Sequence, residues 1–368
     1  MRAVVLVGGE GTRLRPLTFT TPKPLLPIAN VPFLERQLAW LSDHGVDDVV
    51  LSLGYLPDAF VAHFPDGRFG DVKLRYAVED EPLGTAGGIR YAAECAGVEE
   101  RFVVCNGDIL TTLDLSGLVR FHDERGAAAT IHLAHVDDPS PYGVVPTTPS
   151  GEVEAFVEKP PPDESPSEWI NAGTYVLEPS VLERIPTGRA VSIEHETFPS
   201  LLDQPGGLFA LQSPAYFLDI GTPEKYLTAH ADALSGALGG RSLPEGARER
   251  SPGVWVQGDV DVDEDARVSA PALLGPGAHV AGGASVAGSV LGGACHVASG
   301  AAVTGSALLD GARVEDGARV EDSVVGRDAV VQDGASVAAR TIVGAGAVVP
   351  AGAVEREGRV HSGSRAER

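Results

Sequence analysis

The sequence predicts an α/β domain, with a Rossmann-like sheet covered by helices on both faces, followed by a parallel β-helix. Two observations lead to this prediction. Strand-like and helix-like segments alternate over residues 1–235, and from Val256 to Val349 an aliphatic residue recurs every five or six positions. Alternation implies crossover connections and helices packed on a sheet. A short fixed period is typical of a solenoid. A chain of 368 residues is also longer than a single hydrophobic core usually accommodates, so two domains are expected.

Short apolar runs predict the strands of the first domain, because buried strands are continuously hydrophobic. These runs cover residues 3–7, 49–53, 74–78, 102–105, 129–136, 153–157, 173–177 and 209–212. Apolar residues at helical spacing predict helices over 33–41, 85–96, 113–123 and 223–234. The predicted domain therefore spans 1–235. Residues 236–252 are rich in Gly, Pro, Ser and Arg, which indicates a linker.

The aliphatic series after the linker has steps of six, six and five, which add up to a repeat of 17 residues. Ser289, Ser306 and Ser323 each begin the same short motif at this spacing. Such a period predicts three short strands per coil, each with one inward aliphatic side chain, over residues 253–354. Residues 355–368 are expected to form a charged tail. His279 and His296 are 17 residues apart and precede inward valines, so we expect them to stack outward on adjacent coils.

Charge and composition exclude several classes of function. The net charge of −23 argues against nucleic-acid partners and anionic membranes, which bind surplus Lys and Arg. The three cysteines are far apart and form no CxxC pair, which is typical of a reducing compartment. The N-terminal apolar stretch is too short for a signal peptide, and no 18-residue apolar run is present. A cytoplasmic protein is therefore expected.

A glycine-rich loop follows the first predicted strand and reads Gly8-Gly9-Glu10-Gly11-Thr12-Arg13. Glycines let backbone N–H groups approach phosphate oxygens closely. The loop matches neither the P-loop nor the dinucleotide-binding motif. Arg13 and Lys23 flank it where open α/β sheets bind ligands, at the carboxyl edge. Lys23 is one of only four lysines, which makes its position in this motif informative.

With its continuation, this loop resembles the activation motif of the sugar-nucleotide pyrophosphorylases, and among them the mannose-1-phosphate guanylyltransferases. The motif reads GGEGTRLRPLTFTTPKPLLPI. Further segments of that family follow in the same order, at 81–89 (EPLGTAGGI), 106–110 (NGDIL), 156–160 (FVEKP) with 170–179 (INAGTYVLEP), and 216–227 (YFLDIGTPEKYL). The resemblance implies the nucleotidyltransferase fold, with a mixed sheet, and a left-handed hand for the parallel β-helix.

The resemblance also implies a reaction and a set of site residues. A sugar-1-phosphate, here expected to be mannose-1-phosphate, attacks the α-phosphorus of a nucleoside triphosphate, expected to be GTP, and pyrophosphate leaves. Positioning and charge neutralisation do the catalytic work in such a reaction. The implied residues are Arg13 and Lys23 for catalysis; Gly8, Gly9, Gly11, Thr12, Leu83, Gly84, Thr85 and Ala86 for the nucleotide; Gly143, Glu158, Lys159 and Asn171 for the sugar phosphate; and Asp108 and Asp219 for Mg²⁺.

Other hypotheses stay open at this point. Another base, a glucose-1-phosphate or a cyclitol phosphate would fit similar motifs. A regulatory paralogue that binds nucleotide-sugar without catalysis would be expected to alter the loop, whereas Arg13, Lys23, Asp108 and Asp219 are all present. The β-helix is expected to support a homo-oligomer. A second, acyltransferase activity on the β-helix is disfavoured because His279 and His296 face outward and no lysine follows Lys225.

Overall fold

The computed structural model describes residues 1–161, 164–204 and 206–362. The helices are α1 (Phe33–Asp43), α2 (Pro57–His63), α3 (Gly84–Ala96), α4 (Leu115–Arg125) and α5 (Pro223–Ser235). The strands before α5 are β1 (Arg2–Leu6), β2 (Pro27–Ile28), β3 (Val31–Pro32), β4 (Asp48–Leu53), β5 (Arg68–Phe69), β6 (Val72–Val78), β7 (Phe102–Asn106), β8 (Ile109–Thr111), β9 (Ala129–His135), β10 (Gly143–Val144), β11 (Val157–Glu158), β12 (Trp169–Leu177), β13 (Leu208–Ser213) and β14 (Phe217–Asp219). Over the described ranges, no helix has the length and apolar character needed to cross a membrane.

The strands after α5 are short and follow one another closely. They are β15 (Ala247–Ser251), β16 (Val254–Gln257), β17 (Asp261–Val262), β18 (Arg267–Leu274), β19 (His279–Val280), β20 (Ser285–Leu291), β21 (His296–Val297), β22 (Ala302–Thr304), β23 (Ala307–Leu308), β24 (Arg313–Val314), β25 (Arg319–Glu321), β26 (Val324–Val325), β27 (Val330–Val331), β28 (Ser336–Ala338), β29 (Ile342–Val343), β30 (Val348–Val349), β31 (Val354–Arg356) and β32 (Arg359–Val360).

The chain forms two compact units whose boundaries differ from the predicted domains. The first unit comprises Met1–Gly9 and Gln37–Phe217, and the second comprises Glu10–Arg36 and the chain from Leu218 onward. The segment with the predicted catalytic Arg13 and Lys23 therefore lies in the same unit as the β-helix. Helix α5 connects this segment to the β-helix, because it packs against β2 of the segment and against β18 and β20 of the β-helix.

The first unit contains a mixed sheet, as expected. Its strands run in the order β11-β10-β12-β7-β1-β4-β6-β5, and β9 pairs with both β12 and β13. Strands β7, β1, β4 and β6 are parallel, whereas β12 runs antiparallel to β7. Helix α3 packs against β1, β4 and β6, and α4 packs against β9, β12 and β13. The predicted strand at 153–157 is largely absent, since within it only Val153, in an isolated bridge, and Val157, at the start of β11, pair with another segment of the chain.

The β-helix in the second unit has the predicted three short strands per coil. Parallel pairing joins the valines of successive coils in register: Val280 with Val297, then with Val314, Val331 and Val349. These side chains are fully buried and form one continuous hydrophobic core. Val262 and Val268, in the first coil, are only partly buried. The repeat predicted from the aliphatic spacing is thus confirmed.

Serine hydroxyls connect the coils at the five-residue step. Ser289, Ser306 and Ser323 are buried, and the N–H of Ser306 donates to Ser289 Oγ at 3.1 Å. The N–H of Ser323 donates to Ser306 Oγ at the same distance. Each hydroxyl in turn donates to a backbone carbonyl two residues earlier, at 2.7 Å. Each buried polar group of the ladder therefore has a partner, as burial requires.

The ends of the β-helix lie outside the expected limits. Strand β15 falls in the predicted linker and pairs antiparallel with β16. Beyond residue 354, β31 pairs with β28 and β32 pairs with β29, so the coil continues to Val360. The segment expected to be a charged tail therefore belongs to the β-helix as far as that residue, and its part at 363–368 lies outside the described residues.

Candidate active site

In the first unit, two parallel strand ends bring Gly8 and Asp108 to the same edge of the sheet. Leu6, near the end of β1, pairs with Asn106 at the end of β7. Between Asn106 and Asp108, a β-carbon on Gly107 would lie 2.4 Å from Val7 Cγ1 and 2.5 Å from the carbonyl oxygen of Leu6. Glycine is therefore required for this close approach. Asp108 follows directly, at the carboxyl edge where ligands of open α/β sheets bind.

The predicted nucleotide motif at 83–86 begins helix α3. Gly84 adopts φ +71°, and a β-carbon there would lie 2.6 Å from the carbonyl oxygen of Val191. The Thr85 hydroxyl donates to Glu194 Oε2 at 2.9 Å and accepts the N–H of Ile193 at 2.8 Å. Ala86 is fully buried. Thr85 and Ala86 thus hold the motif in place, while Leu83 and Gly84 retain exposed surface.

The predicted sugar-phosphate residues come together on three neighbouring strands of the first unit. Gly143 on β10 pairs with Glu158 on β11, and Val144 pairs with Ile170, the residue before Asn171 on β12. The Asn171 amide donates to the Tyr175 hydroxyl at 3.0 Å and its Oδ1 accepts the N–H of Gly173. Glu158 is described in its backbone only.

Lys159 leaves this group of strands in an uncommon backbone conformation. Its φ is +44°, in the left-handed region that disfavours residues with a β-carbon. Its N–H donates to the carbonyl oxygen of Tyr142 at 3.0 Å, and the residue is exposed. Backbone strain of this kind clusters at functional sites, where the surrounding structure holds it.

In the second unit, the rest of the loop packs tightly on itself. Gly11 adopts φ +61°, and a β-carbon there would lie 3.0 Å from both Lys23 Cβ and Thr18 Cγ2. The Thr18 hydroxyl donates to the Gly11 carbonyl oxygen at 3.0 Å. The stem of Lys23 therefore lies directly against the glycine loop, as the sequence predicts, while Thr12 and Arg13 stay exposed.

Asp219 is surrounded by cationic side chains of the second unit. Lys225 Nζ donates to its Oδ2 at 3.2 Å, and Lys23 Nζ lies 3.9 Å from its Oδ1. A β-carbon on Gly221 would lie 2.4 Å from Arg13 Nη2 and 2.8 Å from Asp219 Oδ1, so both groups lie close to Gly221. We call Arg13, Lys23 and Lys225 around Asp219 the cation cluster. It places three positive charges beside the loop in a chain with a net charge of −23.

Lys225 is the member of this cluster that the sequence reasoning missed. It lies in the first turn of α5, where Thr222 caps the helix and accepts the N–H of Lys225. A signal was available, since Lys225 is one of only four lysines and lies within a segment already matched to the family. The contact between Lys225 and Asp219 could not be predicted from their spacing, because it depends on the turn between the end of β14 and the start of α5.

The segment with Arg13 and Lys23 is anchored to α5 and the β-helix. Pro16 is so close to Gly344 that a β-carbon on the glycine would lie 2.8 Å from Pro16 Cγ. The rings of Phe19 and His361 are 5.7 Å apart, and the Asn30 amide donates to the Leu291 carbonyl oxygen at 2.9 Å. These contacts reach three separate coils. The β-helix therefore supports the conformation of the loop.

A buried histidine of α5 adds a fourth anchor. The N–H of Ala29 donates to His230 Nδ1 at 3.1 Å, and burial lowers the pKa of His230 to about 3. The imidazole is consequently neutral at physiological pH, which leaves Nδ1 free to accept this hydrogen bond.

Comparisons with known proteins show the family to which the chain belongs. The family described as "Nucleotidyl transferase" matches residues 2–236, and the family described as "EIF2B subunit epsilon LbH domain" matches residues 251–354. The chain belongs to the nucleotidyl transferase family. A mannose-1-phosphate guanylyltransferase of Mycobacterium tuberculosis is 41% identical to this enzyme over 292 residues, which are 76% of this chain and 78% of the relative. A mannose-1-phosphate guanyltransferase of Aspergillus fumigatus is 40% identical and covers 73% of each chain.

Solved structures place the nucleotidyltransferase in the same fold. HddC from Yersinia pseudotuberculosis in complex with GMP-PN has a TM-score of 0.53 and 33% identity, and covers 62% of this chain and 97% of its own. The second family match identifies the solenoid as a left-handed β-helix, in agreement with the expected fold.

The nucleotidyltransferase family generally uses a divalent metal, and the carboxylate of Asp219, which the cation cluster surrounds, fits one. Asp219 Oδ1 is buried and has no hydrogen-bond partner among the described residues. A buried polar atom without a partner is costly unless a ligand satisfies it. A carboxylate oxygen is a ligand that hard divalent cations such as Mg²⁺ prefer.

Proposed function

We propose that this enzyme transfers the guanylyl group of GTP to mannose-1-phosphate, giving GDP-mannose and pyrophosphate. A phosphate oxygen of the sugar phosphate forms a bond to the α-phosphorus, and the bond from that phosphorus to the oxygen bridging to the β-phosphate breaks. The position of Arg13 and Lys23 against the glycine loop carries the proposal for the reaction. The names of the relatives and the GMP-PN complex of the Yersinia protein support the choice of substrates.

The catalytic task in this reaction is to neutralise charge on a triphosphate and a leaving pyrophosphate. We assign it to Arg13, whose guanidinium lies beside Gly221, and to Lys23, whose β-carbon lies beside Gly11 and whose ammonium is 3.9 Å from Asp219 Oδ1. Preorganised cations of this kind act mainly by electrostatic stabilisation of the transition state. The N–H groups of Gly8, Gly9, Gly11 and Thr12 are assigned to the phosphates. Leu83 and Gly84, which keep exposed surface, are assigned to the nucleoside, with Thr85 and Ala86 behind them.

The sugar phosphate is assigned to the strands β10, β11 and β12. Lys159 would pair with its phosphate, and Gly143, Glu158 and Asn171 would contact its hydroxyl groups. Asn171 donates a hydrogen bond to the Tyr175 hydroxyl and accepts one from the N–H of Gly173. These bonds hold its amide in one orientation, which supports a role in recognising a substrate hydroxyl.

Asp108 and Asp219 are assigned to Mg²⁺. When bound, the metal would neutralise phosphate charge and help to orient the triphosphate. Asp219 Oδ1 is buried and accepts no hydrogen bond from the described residues, which supports this role for Asp219. For Asp108 the support is its position at the carboxyl edge of the sheet, directly after the close approach at Gly107.

The substrate choice is tested by a panel of GTP, ATP, UTP and TTP against mannose-, glucose- and cyclitol-1-phosphates, with pyrophosphate release as the signal. We expect GTP with mannose-1-phosphate to give the highest kcat/KM. Equal or faster turnover with another nucleotide would contradict the guanylyl assignment while leaving the reaction class intact. No turnover with any pair would contradict the reaction class.

We also propose that the enzyme acts in the cytoplasm as a homo-oligomer. Cys95, Cys105 and Cys295 are free, which suits a reducing compartment. The β-helix exposes Val354 by two thirds, an apolar side chain available to a second copy. Sedimentation velocity of the full chain is expected to show a species larger than a monomer. A monomer across the micromolar range would contradict the oligomer.

A further inference from the structure

We infer that Lys225 determines which oxygen of Asp219 is open to a metal, and thereby favours Mg²⁺ over Ca²⁺. The inference rests on the proposed metal role of Asp219. Lys225 would not touch the substrates. It would act as a positioning residue, through the carboxylate that it holds.

The two carboxylate oxygens of Asp219 differ in their hydrogen bonding. Lys225 Nζ donates a hydrogen bond to Oδ2 at 3.2 Å. Oδ1 is buried, and the ammonium of Lys23 is 3.9 Å away, which is too long for a hydrogen bond. Oδ2 thus accepts a hydrogen bond, whereas Oδ1 is in a longer ion pair and accepts no hydrogen bond from the described residues.

The position of Lys225 is fixed by the start of α5. Thr222 Oγ1 accepts the N–H of Lys225 at 3.3 Å, and Pro223 occupies the first turn of the helix. Both features are favourable at a helix N-terminus. The lysine side chain is only 28% exposed. The ammonium is therefore presented to Asp219 from a rigid element.

This arrangement restricts the carboxylate to one metal–oxygen bond. Mg²⁺ suits this arrangement, because it demands octahedral geometry, keeps several waters and uses few carboxylate oxygens. Ca²⁺ takes six to eight oxygen ligands and often binds both oxygens of one carboxylate. With Oδ2 held by Lys225, Ca²⁺ would lose that second bond. Removal of the lysine side chain would restore it.

A simpler role for Lys225 makes a different prediction. If the lysine only offsets the charge of Asp219, its removal would strengthen the binding of both metals by the same factor. The ratio of Mg²⁺ to Ca²⁺ affinity would then stay constant. The ratio, rather than either affinity, is the quantity that separates the two roles.

The test is Mn²⁺ binding to the full-length enzyme, followed by electron paramagnetic resonance, with the nucleotide selected by the substrate panel present. Mg²⁺ and Ca²⁺ are titrated as competitors. We compare wild type with Lys225→Met and Lys225→Arg. Lys73→Met is the matched control, because Lys73 is an exposed lysine on β6. Thermal unfolding checks that each variant is folded.

We expect Lys225→Met to lower the preference for Mg²⁺ over Ca²⁺ by about tenfold, the scale on which residues that hold a metal ligand act. Lys225→Arg, which keeps a donor, and Lys73→Met should stay within about twofold of wild type. If the ratio of Mg²⁺ to Ca²⁺ affinity in Lys225→Met is unchanged, even where both affinities change by the same factor, the inference is wrong and the proposed metal role of Asp219 still stands. Absence of nucleotide-dependent Mn²⁺ binding in wild type would overturn the metal assignment as well.

Discussion

Replacing Arg13 with alanine is expected to lower kcat by about two orders of magnitude, the usual cost of removing one transition-state charge contact. Arg13 is exposed, and its guanidinium lies over Gly221 beside Asp219. The neighbouring Leu14 is fully buried and anchors the turn independently. The loss should therefore appear in turnover rather than in folding.

Pyrophosphate release under saturating substrates measures the effect of Arg13→Ala, and thermal unfolding checks stability. Arg250→Ala is a suitable control, because Arg250 is an exposed arginine on β15. It should keep the wild-type rate. A kcat for Arg13→Ala within about threefold of wild type would rule out the proposed role in charge stabilisation.

Replacing Gly344 of the β-helix with alanine is expected to lower kcat about tenfold or more. Misplacing a catalytic group by about 1 Å can lower the rate about a hundredfold. The new β-carbon would lie 2.8 Å from Pro16 Cγ, so the loop or the coil must move. Pro16 is buried and is three residues from Arg13 in the sequence. A substitution in the β-helix would thus lower kcat by displacing the loop that carries Arg13.

Gly240→Ala is the matched control for Gly344→Ala, since a β-carbon at Gly240 would meet no atom within 4 Å. Steady-state kinetics and thermal unfolding are compared for the two variants. If Gly344→Ala keeps the full wild-type rate, the β-helix does not position the loop.

The sequence predicted the β-helix well because one physical rule repeats in every coil. Each strand buries one aliphatic side chain, so the period of the coil is visible as the period of hydrophobicity. The last strands of the β-helix do not follow this rule. Glu355, Arg356 and Arg359 are charged, and Val354 is exposed, so the last strands do not follow the pattern. Their place in the coil depends on backbone pairing with β28 and β29.

The candidate site was predictable where its residues follow strand ends or lie in one tight loop. Gly8, Asp108 and Lys23 are of this kind, because strand order or local crowding places them. The pairing of Lys225 with Asp219 depends instead on how α5 leaves the turn after β14. The support of Pro16 by Gly344 joins residues at opposite ends of the sequence. Neither contact has a local signal.

The anchoring of residues 10–36 to the β-helix also sets an order of events during synthesis. Asn30 and Leu291 are 261 residues apart, and at about 5–20 residues per second the ribosome needs roughly 13 to 50 seconds to make the chain between them. Throughout that time the segment with Arg13 and Lys23 lacks its contacts with Leu291, Gly344 and His361 of the β-helix. A nascent chain can complete the strands of the first sheet long before these contacts with the β-helix form. We therefore expect activity to appear only after the last coils are made, although the proposed catalytic residues are among the first.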